Sequence, residues 1–338
     1  MSQVSVVLPV RNRAEALELA AISVLTQPET AELLVVDDAS EDGSVEVAAR
    51  LSRLDSRVRL LRLPQQRGAA FARNHGVGAA SQDLVAFQDS DDVWLPGKLA
   101  AQVRHLAGHP EVDLVACQVV RLSATGAELI PRRLSGATRL RVRDLLMRNV
   151  VTTQSILVRR AIARAIPFDT SLPRYQDWDF VFRVVQEGAV DLLPFVGVVA
   201  VVQSDSVTAD AHAGVIGRMT LLEKHKACYG RAPFALCVNA VKAAAMTLAV
   251  GSPKHRLAME RLGRELGPAG APAVVMMEVG RIPGVARAVG SVVHSRGFGR
   301  RRSAATAPSE RMEPPSRIRP PGIATLMTDA IQSVGTER

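Results

Sequence analysis

Apolar positions in the first 120 residues switch between short continuous runs and helical spacing, and the alternation repeats. Val4 to Val10 is a β-branched run that reads as a buried strand, and Ala14 to Leu25 follows with helix-forming composition. Leu33 to Val36 predicts a second strand, and a turn at Ser40 to Ser44 launches a helix to about Leu54. Val58 to Leu63 reads as a third strand, followed by a helix that starts at Gly68 and runs through Ala80. Leu84 to Phe87 reads as a fourth strand, Pro96 opens a helix to about Leu106, and Val112 to Val120 is a further strand. That order predicts a mostly parallel sheet covered by helices.

Beyond residue 120 the period is weaker. Helices are expected at Asp144 to Arg148 and Asp177 to Glu187, with strands at Ile156 to Arg159 and Val190 to Val202. A helical pattern then runs from Val215 to about Leu266, interrupted near Gly251-Ser252-Pro253. From Gly299 onward the chain is rich in Arg, Ser and Pro, the composition of a disordered tail.

Polar residues follow the strand ends. Asn12, Asp37, Asp38, Asp89 and Asp91 all come just after predicted strands, the edge at which open α/β sheets bind ligands. In Asp89-Ser90-Asp91-Asp92, three acids in four positions repel one another unless a cation or solvent compensates. Mg²⁺ or Mn²⁺ bridging carboxylates to phosphates would supply that compensation, although an acidic turn ahead of the next helix would look the same. One of Asp37 and Asp38 could accept hydrogen bonds from a nucleoside, while Ser40, Asp42 or Ser44 would cap the following helix. Arg67 and Arg73 flank a helix start where Gly68 gives close backbone access, and either could meet a phosphate or an acidic residue of the site. Asp177 and Asp179 open a helix but cannot share one of its faces, so one at most points into a cleft, and both suit a helix N-terminus. Trp178 would pack on the sheet or form an acceptor platform, and His75, His105 and His212 are weaker candidates for a base or ligand.

Composition narrows the classes. The chain carries a formal net charge of +9, and residues 296–319 hold seven Arg against Glu310 and Glu313. A basic tail without interleaved aromatics fits solvent or an anionic membrane surface better than a nucleic-acid-reading domain. Cys117, Cys228 and Cys237 lack metal-ligand spacing and suit a reducing compartment. The N-terminus shows no signal-like stretch, and no run is expected to span a bilayer, the best, Val190 to Val202, being short and holding Asp191. The expectation is a cytoplasmic protein, peripheral on the inner face of the membrane if its tail engages lipid. Gly76-Val77-Gly78 lacks the context of a dinucleotide fingerprint, and a P-loop is absent.

Taken together, the segments Val4 to Arg13, Leu34 to Ser44, Arg67-Gly68, Ala72 to Asn74 and Ala86 to Trp94 resemble the family 2 glycosyltransferases, which have the GT-A fold; a weaker match reaches Gln176 to Asp179. The resemblance implies a nucleotide-diphosphate-sugar donor, Mg²⁺ or Mn²⁺, and inversion at the anomeric carbon. Pro9 and Asn12 would line the donor pocket, Asp38 would contact base or ribose, and Arg73 would sit near the nucleotide. Asp89 would lie near the donor and share the metal with Asp91, the direct ligand; Asp177 would deprotonate the acceptor hydroxyl. Arg11 stands where an aromatic residue is common, and Gln176 where an acid is frequent. A Gln-x-x-Arg-Trp motif of processive synthases is absent, which favours transfer of a single sugar.

The resulting expectation is an α/β, GT-A type fold with a helical C-terminal extension. Residues 1–120 would bind the donor, 121–210 the acceptor, 211–298 would form the extension and 299–338 the tail. A nucleotidyltransferase should carry a Gly-rich loop after the first strand, whereas Val10 to Arg13 has no Gly. A catalytically inactive sugar-binding scaffold would not need Asp38, Asp89, Asp91 and Asp177 together.

Overall fold

The computed structural model describes residues 2–123, 126–131, 134–201 and 210–279. The expected tail at 299–338, with its basic segment, and residues 280–298 of the expected extension lie outside the described residues.

β1 (Val4–Val10) is buried along its whole length, and its alternation sorts side chains between two cores. Val7 joins Leu34, Val36, Val85 and Phe87 on one face, while Val6, Leu8 and Val10 join Leu33, Val35 and Ala86 on the other. β2 (Thr30–Asp37) and β4 (Leu84–Phe87) flank β1 in parallel, and β3 (Val58–Arg62) lies parallel beyond β2. Past β4 the sheet becomes mixed. β9 (Ile156–Arg159) is antiparallel to both β4 and β6 (Leu114–Ser123). β10 (Val190–Val201) runs parallel to β6, and β5 (Val93–Trp94) pairs antiparallel on its far side. The order is thus β3-β2-β1-β4-β9-β6-β10-β5, with β7 (Gly126–Ile130) on β6 and β8 (Thr138–Arg139) on β10.

The α/β, GT-A-like architecture is as expected, but the sheet is mixed where a mostly parallel one was expected: β9 reverses beside β4 and β6, and β5, β7 and β8 pair antiparallel. The short β5, β7 and β8 have no hydrophobic pattern to announce them. Asp191, inside β10, accepts from His105 Nε2 at 2.8 Å and pairs with Arg139, which accounts for a carboxylate in a buried strand.

Helices cover both faces. α1 (Ala14–Leu25), α2 (Ser44–Leu54) and α4 (Lys98–Gly108) bury Leu17, Ala48 and Leu99 on one side. α3 (Ala69–Ala79) and α7 (Gln176–Glu187) bury Ala72, Val77, Phe180 and Val184 on the other. Between α3 and α7, α5 (Val142–Leu146) and α6 (Arg160–Ala165) add Leu145, Leu146 and Ala163 to that core. Phe87, Phe168 and Phe180 form one aromatic cluster, with centroids 4.5–6.3 Å apart.

The extension comprises α8 (Ala211–Lys224), α9 (Lys226–Gly230), α10 (Pro233–Val250), α11 (Pro253–Glu265) and α12 (Ala271–Val279). Contrary to the expectation that no run is long enough, α10 has the length and apolar composition of a membrane span, with half of its 18 residues buried. Its Ala240, Ala243, Ala244 and Leu248 belong to the same core as Val7 and Phe180, so packing accounts for that apolar face. The extension shares this core with the sheet. It is also fixed by hydrogen bonds from Tyr229 Oη and Asn239 Nδ2 to the Leu146 carbonyl, at 3.1 and 2.7 Å.

Asp179 is the strongest joint. Fully buried on α7, it accepts from His225 at 2.9 Å, Lys224 at 3.0 Å and Arg183 at 2.8 Å. Burial alone would raise its carboxyl, but His225, Lys224 and Arg183 outweigh it and hold the group below the usual range. Stability from this joint is therefore present above the ordinary aspartate range and lost as pH falls toward the lowered native value. Asp179→Ala is expected to cost about 3–5 kcal/mol, because it leaves buried His225, with Lys224 and Arg183, without the carboxylate they share; urea melts at neutral pH and near pH 3 check both the loss and its shrinkage in acid.

Gly76 explains the Gly-x-Gly of the sequence by packing. A Cβ there would lie 2.4 Å from Val7 Cγ1, whereas one at Gly78 meets nothing within 4 Å. Gly76→Ala should destabilise by about 1–3 kcal/mol through overpacking. Gly78→Ala, with the same change of propensity and open space, should raise the melting temperature.

Candidate active site

Parallel pairing of β2, β1 and β4 delivers three polar loops to one edge. Val10 is in register with Asp37, and Val7 with Phe87. The β1–α1 and β2–α2 loops then brace each other. Asn12 and Ala39 both adopt left-handed backbone, at φ 50° and 56°. The Asn12 N–H donates to Ser40 Oγ at 3.1 Å, and Glu41 N–H donates to Asn12 Oδ1 at 2.8 Å. Arg13 N–H donates to Ser44 Oγ, and Ala14 N–H to Asp42 Oδ2. Ser44 and Asp42 thus satisfy the start of α1, and Asp42 Oδ1 also accepts from the Ser44 N–H at 2.9 Å, at the start of α2, the helix it was expected to cap.

Asp38 is buried and closes the next loop. Its two carboxylate oxygens accept from the Arg67 N–H at 2.6 Å and the Gly68 N–H at 2.8 Å, and Gly68 takes φ 87° to make this approach. Asp37 turns back to its own loop at Ser40 N–H.

After β4 the acids divide. Asp89, Ser90 and Asp91 line a cleft of about 800 Å³, with Pro9, Arg11, Arg13 and Asp38 among the other lining residues. Asn12 is not among them; it holds the loop instead. Asp92 is buried away from the cleft, where it accepts from Val201 N–H at 3.2 Å. Burial, with Asp89 and then Asp91 nearby, pushes its carboxyl well above the usual range. Asp91 lies 4.0 Å from Arg13 Nε.

Arg73, reaching up from α3, crosses the cleft floor. It donates to Asp89 Oδ1 at 2.7 Å and to Gln176 Oε1 at 3.0 Å, with its guanidinium 5.5 Å from the Phe168 ring. Gln176 Nε2 donates to Leu172 O at 2.8 Å, a bond that an ionised acid could not make. The amide therefore leaves the charge of Arg73 to Asp89.

Asp177 is the next residue, half-buried in the cleft wall, with Trp178 N–H donating to its Oδ1 at 2.7 Å. Desolvation raises its carboxyl above the usual range, opposed by that bond, by Arg73 and by Asn149, and supported by Asp89. A desolvated carboxylate facing a cleft is a stronger base than a solvated one. Its neighbour Trp178 is core, donating from Nε1 to Leu145 O at 2.9 Å, and so offers no platform. None of His75, His105 and His212 lines the cleft; His212 pairs with His255 at 3.1 Å.

Among the described residues no three Asp, Glu, His or Cys side chains converge as a metal cage. Asp89 and Asp91 face the cleft together from the loop after β4. That donor set fits Mg²⁺ or Mn²⁺, since Mg²⁺ in particular takes one or two carboxylates and completes its shell with substrate phosphates and water. The cleft is completed by residues that no sequence signal marked: Arg121, Glu128 to Pro131 from the β6–β7 hairpin, and Arg148 and Arg174.

The chain is similar to several known proteins. The succinoglycan biosynthesis protein ExoU of Rhizobium meliloti is 27% identical over 223 residues, 61% of this chain and 64% of that protein. The chain spans less than two thirds of the length of the curated relatives it matches. The fold is shared with TarS of S. aureus, solved in complex with UDP-GlcNAc: TM-score 0.56, 16% identity, 88% of this chain and 93% of that one. It is shared too with the mannosyltransferase PcManGT of Pyrobaculum calidifontis, solved with GDP-Man and Mn²⁺: TM-score 0.51, 21% identity, 86% and 87% covered. Residues 5–165, the segment with the braced strand-end loops and paired carboxylates, match the family described as Glycosyl transferase family 2.

Proposed function

We propose that this protein is an inverting glycosyltransferase that moves a single sugar from a nucleotide-diphosphate-sugar, UDP-sugars favoured, to an acceptor hydroxyl. Synthesis of a cell-surface polysaccharide or glycoconjugate is the setting, as the name of the relative ExoU suggests. The observation that carries the reading is Asp177, a carboxylate raised by desolvation in the wall of the cleft that Asp89 and Asp91 also line. TarS with UDP-GlcNAc and PcManGT with GDP-Man and Mn²⁺ share the fold and support the donor class.

In this reading Asp91 and Asp89 hold Mg²⁺ or Mn²⁺, which when bound offsets charge on the departing diphosphate. Pro9, Asp38 and the Arg67–Gly68 backbone shape the nucleotide side of the cleft. Arg73 orients Asp89 and keeps Gln176, and with it the start of α7, in place. Asp177 takes the proton of the acceptor hydroxyl as its oxygen bonds to the anomeric carbon. The bond from that carbon to the diphosphate breaks on the opposite face, so configuration inverts. A cytoplasmic location, peripheral on the inner membrane face, belongs to the same proposal; the three free cysteines support it.

Asp177→Asn should lower kcat by about 10²–10⁴-fold without lowering the melting temperature, because it removes a carboxyl that burial disfavours. Full activity in that variant overturns the assignment of the base. In the parent enzyme the acidic limb of kcat/KM should lie above the ordinary aspartate range, since Asp177 works ionised and its carboxyl is raised.

A panel of UDP-, GDP- and dTDP-sugars tests the donor class. One nucleotide series should be hydrolysed slowly with Mg²⁺ or Mn²⁺, and activity should vanish with EDTA and in Asp91→Ala. Undiminished turnover in EDTA would remove the metal from the reading, and no turnover of any donor would favour a non-catalytic scaffold.

A further inference from the structure

Four cations gather where the cleft meets the helical extension, and none makes an ion pair with a carboxylate among the described residues. Arg148 and Arg174 line the cleft. Arg218 on α8 and Lys242 on α10 continue the group onto the extension. Arg174 and Arg218 both lie against the Tyr175 ring, with guanidinium carbons 5.0 and 5.3 Å from its centroid, and Arg218 is 5.4 Å from that of Trp178. Lys242 Nζ is 3.5 Å from Met147 O, one residue from Arg148. Desolvation, then Arg218 and Arg148, hold the Lys242 ammonium below its usual range, which shows that the three charges feel one another.

Two nitrogens of this group, Arg174 Nη1 and Arg218 Nε, are buried without a hydrogen-bond acceptor. Buried donors of this kind are ordinarily paired, and a charged donor costs more than a neutral one when it is not. Like charges held together add to that cost. Both costs fall when the guanidinium groups turn to one anion with several acceptor oxygens placed among the four cations. A phosphate or diphosphate suits several arginines better than a carboxylate does, because it offers more oxygens to planar guanidinium donors.

The position assigns the anion to the acceptor. The four cations come from the segments around Arg148 and Arg174 and from the extension, not from the strand-end loops that carry Asp38, Asp89 and Asp91. Arg174 stands three residues before Asp177, and Arg148 precedes Asn149, which hydrogen-bonds Asp177. We propose that Arg148, Arg174, Arg218 and Lys242 form a subsite for a phosphate or diphosphate carried by the acceptor near the hydroxyl that is glycosylated. The word acceptor rests on the transferase reading; the anion site does not.

The test is a titration of the intact chain with inorganic pyrophosphate in EDTA, followed by tryptophan emission, since Trp178 packs against Arg218. Saturable binding is expected, weakened at least tenfold by Arg218→Gln. Should that variant disturb the Arg218–Asn239 hydrogen bond and the fold, Arg148→Gln/Lys242→Gln, two exposed positions, should weaken binding at least threefold with an unchanged melting curve. A short-chain polyprenyl diphosphate sugar and a glycerol phosphate oligomer are then used as competitors. Displacement by either supports the subsite and tells a lipid-linked acceptor from a polyol phosphate chain. Equal pyrophosphate affinity in parent and variants, or displacement by a neutral glycoside as good as by both phosphorylated competitors, overturns the proposal. Donor hydrolysis is read separately: its absence with anion binding intact would overturn the transferase reading and leave the subsite standing.

Discussion

Arg73 lies buried between Asp89, at the end of β4, and Gln176, in the first turn of α7, with Phe168 beneath its guanidinium. These contacts join the strand-end loops to the helix that carries Asp177. The constraint works in both directions. The guanidinium offsets the charge of Asp89 beside two further acids, and it draws Asp177 downward while desolvation and Asp89 push it up. One buried cation thus balances two carboxylates, which would otherwise repel each other across the cleft floor. The Phe87–Phe168–Phe180 cluster supports it from below, so a chain with few aromatic residues places three of them under its site.

Much of the first half was legible in the sequence. The runs at Val4 to Val10 and Leu84 to Phe87, and the helix at Ala14 to Leu25, occur in the structure with the bounds that periodicity gave them. Strands buried on both faces are continuously apolar, and the polar residues that follow them fall at the binding edge by topology alone. The division of labour among those residues was not legible. Asn12 and Asp38 both follow strands, yet Asn12 braces a loop whereas Asp38 lines the cleft while closing another. Asp92 belongs to the acidic cluster in sequence and to the β10 edge in space. Such distinctions depend on which way a turn points, and neighbouring positions share the same composition.

The second half was harder to read for a different reason. Arg148, Arg174, Arg218 and Lys242 lie far apart in the chain and belong to no periodic pattern; only the packing of α8 and α10 beside the α7 start brings them together. Helix α10 was underestimated because Lys242 and small residues interrupt its apolar run, although its buried face is continuous with the core of the sheet. Gln176 illustrates the converse. It departs from the commoner acid, and the structure supplies the reason: its amide donates to Leu172 O as well as accepting from Arg73.

Asp177 and Asp179 stand two residues apart on α7, one turned to the cleft and the other locked by Lys224 and His225 of the extension. The helix therefore acts as a shared beam, and the extension cannot be exchanged as an independent module. A chimera that borrowed α8 to α12 from a relative would inherit a new seating for Asp177 unless it kept partners for Asp179. The packing of the extension and the setting of Asp177 are coupled within one turn of one helix, so divergence in one has to be accompanied by accommodation in the other.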